Sequence, residues 1–255
     1  MSCGVRSGQS HLVSHYQKGS LKALFPRTSH SGFDTVFLNT AGGIAGGDRY
    51  AYNLTVDEGA RMTVTSQAAE RIYRATGTET GAVTLSAEIS PKGRLDWLPQ
   101  ETILFDHGRL KRRFDFSLAE DATLLCVEPL VFGREAMGEA VQTAHLHDIW
   151  RVKSGGKLVF ADALKLDGPV AKLLARPAIA SGHRALANVL LVSPDTEAKL
   201  AKTRQLLGTS GGASIIRPGV LVVRLMAPNS FLLRKTLVPI LEWLKGGPIP
   251  KTWNI

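Results

Sequence analysis

The sequence predicts a mainly β fold that ends in two α-helices. Three observations carry this. Apolar residues alternate at period 2 through much of residues 34–160, the pattern of half-buried strands. Gly59, Gly77, Gly81, Pro91, Gly93 and Gly108 punctuate those runs, as turns between short strands require. Helix-spaced apolar stripes with capping signals appear only near the C-terminus. Short strands separated by turn residues indicate an all-β architecture rather than βαβ units.

The elements follow in order. Val36-Phe37-Leu38 is a short apolar run, and Tyr50, Tyr52, Leu54 and Val56 alternate after it. Met62, Val64 and Ser66 alternate with Thr63 and Thr65; Val83, Leu85, Ala87 and Ile89 with Thr84, Ser86 and Glu88; Phe114, Phe116 and Leu118 with Asp115 and Ser117. No fixed-period repeat is visible, so a solenoid cannot be read from the sequence itself. Near the C-terminus, Ser193 is expected to cap a helix with Pro194 at its first position and a stop near Gly208. A second helix is expected after Asn229-Ser230, running to about Lys245 before Gly246, with a kink or break at Pro239. Gly219-Val-Leu-Val-Val-Arg-Leu-Met226 reads as a buried strand between them. The expected tail is therefore β-α-β-α.

Composition narrows the class. The 255 residues are 44% hydrophobic, 21% charged and 7% aromatic, which suits a folded core and not a disordered chain. Cys3 and Cys126 lie outside any C-x-x-C spacing, which suits a reducing cytosol and argues against a disulfide scaffold. Gly4, Arg6 and Gly8 interrupt any apolar leader, and no apolar run reaches the ~18–20 residues of a membrane span. A soluble, cytoplasmic chain without a membrane partner is the expectation. Net charge is +9, with the densest basic run at Arg109-Leu-Lys-Arg-Arg113. Nucleic-acid modules pair such runs with aromatic platforms or a recognition helix, and neither is visible. Docking on an acidic protein fits the charge better; a basic β-rich nucleic-acid-binding module is the alternative.

The loop Asn39-Thr-Ala-Gly-Gly-Ile-Ala-Gly-Gly-Asp-Arg49 is the most distinctive segment. A phosphate-binding loop needs Lys and Ser/Thr after its last glycine and a helix to follow. Asp48 takes the Lys position and a strand follows, so Gly42, Gly43, Gly46 and Gly47 are expected to serve backbone geometry. No G-x-S-x-G elbow is present, and Cys126 sits in a buried-strand pattern, where thiols are inert. His145 and His147 share one face of a strand and could meet one ion, though no third ligand is near in sequence. The remaining chemistry-bearing residues are the carboxylates Asp48, Glu70, Glu101, Glu128, Glu135 and Glu139. Glu128 and Glu139 flank apolar segments, where a charge must be paired or hydrated. An ion pair of Arg134 with Glu139 or Glu135 is the plain structural reading.

Five ordered blocks resemble the urease accessory protein family UreD, also called UreH. They are Phe37 to Tyr50, Glu58 to Arg74, Leu98-Pro-Gln-Glu-Thr-Ile-Leu-Phe105, Gly133-Arg134 with Gly138-Glu139, and Ile249-Pro-Lys-Thr-Trp253. The resemblance implies an elongated two-sheet, β-helix-like body with two C-terminal helices, one domain over 21–255, and a poorly matched leader at 1–20 that is expected to be flexible. It implies a non-enzymatic maturation factor that binds apo-urease with UreF and the GTPase UreG and assists nickel insertion. No tightly bound cofactor is implied, only transient nickel(II) on a hydrated path. The carboxylates that carry over best are Asp48 and Glu139, with Glu101 and Glu128 as further candidate ligands of that path; His145 and His147, which the UreD pattern does not require, join them as candidates from their H-x-H spacing alone. Gln67, Pro99, Gln100, Arg134 and Gly138 carry over as structural members of the blocks. Glu70 takes a position commonly small or polar in the family, so the resemblance assigns it no role.

Overall fold

The computed structural model describes residues 1–134 and 137–254. Its centre is a stack of parallel coils, each crossing between two sheets. One sheet, A, receives β5 (Arg49–Val56), β8 (Gly81–Ile89), β11 (Arg109–Leu118) and β13 (Ala144–Ser154), all in parallel neighbour pairs. The other, B, receives β4 (Phe33–Asn39), β6 (Arg61–Ser66), β9 (Arg94–Leu98) and β12 (Thr123–Phe132), likewise parallel. Two short strands, β7 (Glu70–Ile72) and β10 (Thr102–Leu104), extend sheet B beside β12. Antiparallel pairings finish both ends. β1 (Ser2–Arg6), β2 (Gln9–Ser14) and β14 (Lys157–Gly168) flank sheet A, while β3 (Leu21–Leu24), β15 (Ala185–Val192), β16 (Gly211–Arg217) and β17 (Val220–Ala227) flank sheet B. β1 is antiparallel to β2 but itself lies parallel to β5.

The architecture is thus mainly β and solenoid-like. Its period is hidden because successive coils differ in length. Arg49 lies opposite Ala82, Gly81 opposite Leu110, and Arg109 opposite His145, and the sequence offset changes at each step. Variable loops absorb the difference, so no residue type recurs at a constant interval.

Residues 1–20, expected as a flexible leader, contain β1 and β2. The hairpin is tied to the body by a parallel pairing of Ser2 and Cys3 with Thr55 and Val56. Cys3 is fully buried, because the hairpin extends sheet A over the end of the core.

Burial explains the strand patterns. Sheet A buries one face, so β8 and β11 alternate buried and exposed. β12 is buried almost throughout because it has two apolar neighbours. Leu124, Cys126, Leu130 and Phe132 meet sheet A, while Leu125, Val127 and Val131 meet a second core under the helices. A strand covered on both sides reads as a continuous apolar run.

The tail is β-α-β-β-α, with β16 missed by sequence reasoning and a short helix α1 (Val170–Ala175) before it. α2 (Thr196–Leu207) starts later than expected. The Ser193 hydroxyl donates to Asp195 Oδ1 at 2.5 Å, which draws Ser193-Pro194 into a turn outside the helix. α3 (Ser230–Lys245) begins as expected, with Asn229 Oδ1 accepting from Leu232 N at 2.9 Å and Gly246 closing it at φ 77°. It runs unbroken through Pro239. That proline is exposed, so the carbonyl left without its donor one turn earlier is open to water. No helix among the described residues is long and apolar enough to cross a membrane.

Candidate functional site

Between the two sheets the apolar core is interrupted by a polar seam. On β11 the inward positions are Leu110, Arg112, Phe114, Phe116 and Leu118, so one member of the basic run points into the core. Arg112 is 3% exposed. Asp148 stands directly beside it on β13 and takes Nε at 3.2 Å and Nη2 at 2.6 Å. Arg112 Nη1 donates to Thr102 Oγ1 at 3.0 Å and lies 2.5 Å from Glu128 Oε2. The other Glu128 oxygen accepts from Trp97 Nε1 at 2.9 Å.

One guanidinium faces two buried carboxylates. Asp148 receives the paired N–H groups, whereas Glu128 Oε2 has no aligned donor. Burial pushes the Glu128 carboxyl up to about 7; Arg112 opposes this and the Asp148 charge adds to it. The same surroundings raise the Cys126 thiol well above its ordinary value, burial first, which leaves it inert.

Two adjoining cavities open along this seam. The inner one, about 70 Å³ of space for water centres, is lined by Arg112, Glu128, Trp97, Thr102 and Gln100 among apolar side chains. The outer one, about 140 Å³, is lined by Asn39, Gly42, Gln67, Ala68 and Arg71. Phe37, Tyr52, Ser66 and Glu70 line both, and each cavity has room for several waters. Glu70 therefore stands at the junction. Asn39 Nδ2 donates to its carboxylate at 3.2 Å. Burial pushes the Glu70 acid up, against the pull of Asn39 and Arg71. Burial likewise raises the Tyr52 phenol, with Glu70 and Glu128 adding to the effect.

The glycine loop forms part of the cavity wall through Ile44 and Gly42. Ile44 N donates to Arg71 O at 2.7 Å, and Tyr73 N to Ile44 O at 2.9 Å. This close approach sets the residue types: a Cβ on Gly43 would lie 2.6 Å from Arg71 O. Gly47 adopts φ 88°, which favours glycine. Asp48 closes the turn, its Oδ2 accepting from Ala45 N at 2.9 Å, and it lines neither cavity.

The other predicted residues divide by duty. Glu139 staples its own loop: it takes Arg134 Nε at 2.8 Å, Arg134 N at 3.0 Å and Asp106 N at 3.2 Å. Those hydrogen bonds, led by the one from Arg134, hold its carboxyl below the usual range. Gly138, at φ 66°, belongs to the same loop; Glu135 lies outside the described residues. Glu101, 3% exposed, receives both Arg234 Nε at 2.5 Å and Nη2 at 2.6 Å, and so ties α3 to the body. Gln100 joins this clamp, its Oε1 taking Arg234 Nη2 at 2.8 Å and its Nε2 reaching Gln67 O at 3.1 Å and Thr252 O at 2.8 Å. Pro99 precedes it on the inner cavity wall. The terminal block lands here as well, with Trp253 Nε1 donating to Leu98 O at 3.0 Å.

His145 and His147 share the outer face of β13 but keep basic company, opposite Arg109 and Lys111. His145 Nδ1 contacts Asp167. Among the described residues no group of three or more His, Cys, Asp or Glu converges as a metal site.

Sequence reasoning left Arg112 in a basic run and Asp148 beside the His145/His147 pair, placed neither in the core, and set Glu70 aside. The parity of Phe114, Phe116 and Leu118 extends back to Arg112, and that of Trp150 and Val152 back to Asp148. Strand parity could have found both. Nothing comparable marked Glu70, on a three-residue strand.

A sequence profile of the family described as UreD urease accessory protein matches residues 1–254. Curated proteins named urease accessory protein UreD are similar along nearly the whole length. That of Ruegeria pomeroyi is 45% identical over 240 residues, covering 94% of this chain and 93% of its own. Those of Rhizobium leguminosarum bv. viciae and a Methylobacterium species are 45% identical over 250 and 258 residues, covering 97% and 98% of this chain and 91% of their own.

Proposed function

Because the chain belongs to the UreD urease accessory protein family, we propose that it is a cytoplasmic, non-catalytic urease maturation factor. In this reading it binds apo-urease together with UreF and UreG and lets nickel(II) pass through its interior seam. The observation that carries the reading is the pair of adjoining cavities with Glu70 at their junction and Glu128 at the inner end. Carboxylates and amide oxygens suit a divalent ion that must enter and leave, because oxygen ligands hold nickel less tightly than imidazole or thiolate does. Burial raises the Glu128 acid toward neutral pH, so proton and divalent ion compete for its carboxylate. Arg112 keeps the inner end from becoming a deep cation trap. Asp48 and Glu139 serve the path indirectly, as staples of the loops around it.

The test is co-expression with urease, UreF and UreG, followed by isolation of the complexes and metal analysis of the urease. Glu70→Gln is expected to keep the complexes and lower nickel content several-fold, while Asp48→Asn acts through folding if at all. Full nickel content with both Glu70→Gln and Glu128→Gln would reject the interior route.

A further inference from the structure

The solvent side of sheet A carries a second feature, separate from the seam. Outward side chains fall into cross-strand rows. One row runs Arg49, Ala82, Lys111, His147 and Lys165. His147 thus sits between two lysines, directly opposite each. The two lysines flank it from neighbouring strands, and no acidic side chain stands between them in the row. The acids of this face do not relieve the row, and Glu88 lies in a different one, opposite Thr55 and Ser117. Asp115 is taken by Arg113 at 2.5 and 3.1 Å, and Asp167 contacts His145. Among the described residues Lys111 and Lys165 form no ion pair, and both are exposed.

The neighbouring row has a different character. Ala51, Thr84, Arg113, Ile149 and Ala163 lie in register, and Ala161 follows Ala163 two residues back on the same face of β14. Ile149, Ala163 and Ala161 therefore form a small apolar patch on β13 and β14, bounded by Arg113, Arg151 and the basic strip. No aromatic residue occupies these outward positions. Single-stranded nucleic acid binds through stacked aromatics, and duplex reading needs a helix or ribbon that enters a groove; a flat sheet face with small residues offers neither. An apolar centre with a charged surround is the anatomy of a protein interface.

We propose that the outer face of sheet A is the docking surface for an acidic polypeptide, with the Lys111–His147–Lys165 row as its anion-recognising strip. The full-length chain is titrated with fluorescent poly-L-glutamate and, separately, with fluorescent duplex DNA at about 0.1 M salt, where unpaired surface charges still act over ~10 Å. Lys111→Glu with Lys165→Glu is compared with Lys18→Glu with Lys202→Glu, an equal charge change at exposed sites off this face. Lys111→Gln with Lys165→Gln supplies a milder pair, should the reversal disturb the sheet. Loss of about tenfold in poly-L-glutamate affinity from the Lys111/Lys165 pairs, beyond the control pair, supports the surface. Equal losses from both reversal pairs reduce the effect to net charge and overturn it. Tighter binding of DNA, lost with the same two lysines, overturns it in favour of a nucleic-acid face.

Discussion

Glu128 and Glu139 both flank apolar strands in the sequence, yet they live under opposite physics. Glu128 is 2% exposed, shares one guanidinium with Asp148, and has its acid raised by burial to about 7. Glu139 lies at the rim of a surface loop, where hydrogen bonds from Arg134 and backbone amides hold its carboxyl below the usual range. The lesson is that a matched carboxylate has a role set by its desolvation, which linear sequence does not record. In the seam, charge is scarce and each group depends on the next. At the rim, water screens every pair.

The sharpest way to break this contrast is at Arg112. Arg112→Met leaves two buried carboxylates without their cation and is expected to cost ~3–5 kcal/mol, read by chemical denaturation. Adding Glu128→Gln and Asp148→Asn should recover much of the loss. A mild effect of Arg112→Met alone would mean the seam is far wetter than its burial implies.

A smaller effect should appear with pH. The native Glu128 acid titrates at about 7, above the ordinary 4.5, so between those values the folded state holds a proton that the unfolded state has lost. Its contribution to stability is therefore full below about 4.5 and falls as pH rises through 7. Melting temperatures of wild type and Glu128→Gln measured from pH 5 to 8 should diverge, with the variant gaining relative stability toward pH 8. Parallel curves would contradict the raised value.

The smallest change is expected at the rim. Glu139→Gln should lower the melt slightly, and less in high salt, because the Arg134 pair is exposed. The sign is the reverse of Glu128. The depressed carboxyl stabilises above its ordinary range, and that contribution is lost as pH falls through its native value. A large, salt-insensitive loss would place Glu139 with the seam instead.

How much was legible follows from the same physics. The β class was readable because Val83, Leu85, Ala87 and Ile89 face one core and their neighbours face water. The two C-terminal helices announced themselves through Asn229, Gly208 and Gly246. The coil stack was not readable from pattern alone, since its period changes from coil to coil, and it entered only through the family resemblance. The hairpin at 2–14 was obscured by Gly4 and Gly8, and β16 by its opening Gly211-Gly212. In the site, Glu101, Glu128 and Gln100 were singled out, but their partners were not. Arg112 was hidden inside a basic run, where charge drew attention from strand parity. Arg234 was hidden on a helix, 133 residues from the carboxylate it clamps.

That long-range clamp has a consequence for how the chain is made. The Gln100 amide waits for Thr252, 152 residues later, and Leu98 O waits for the Trp253 indole, 155 residues later. At a synthesis rate of ~5–20 residues per second, the interval is on the order of ten seconds. For that time the central coils exist without the segment that closes Leu98 to Glu101, and their apolar outer layer lacks α3. The nascent chain therefore passes through a stage in which β12 is covered on one side only. Any helper that shields β12 at that stage would act before the cavities have acquired their final wall.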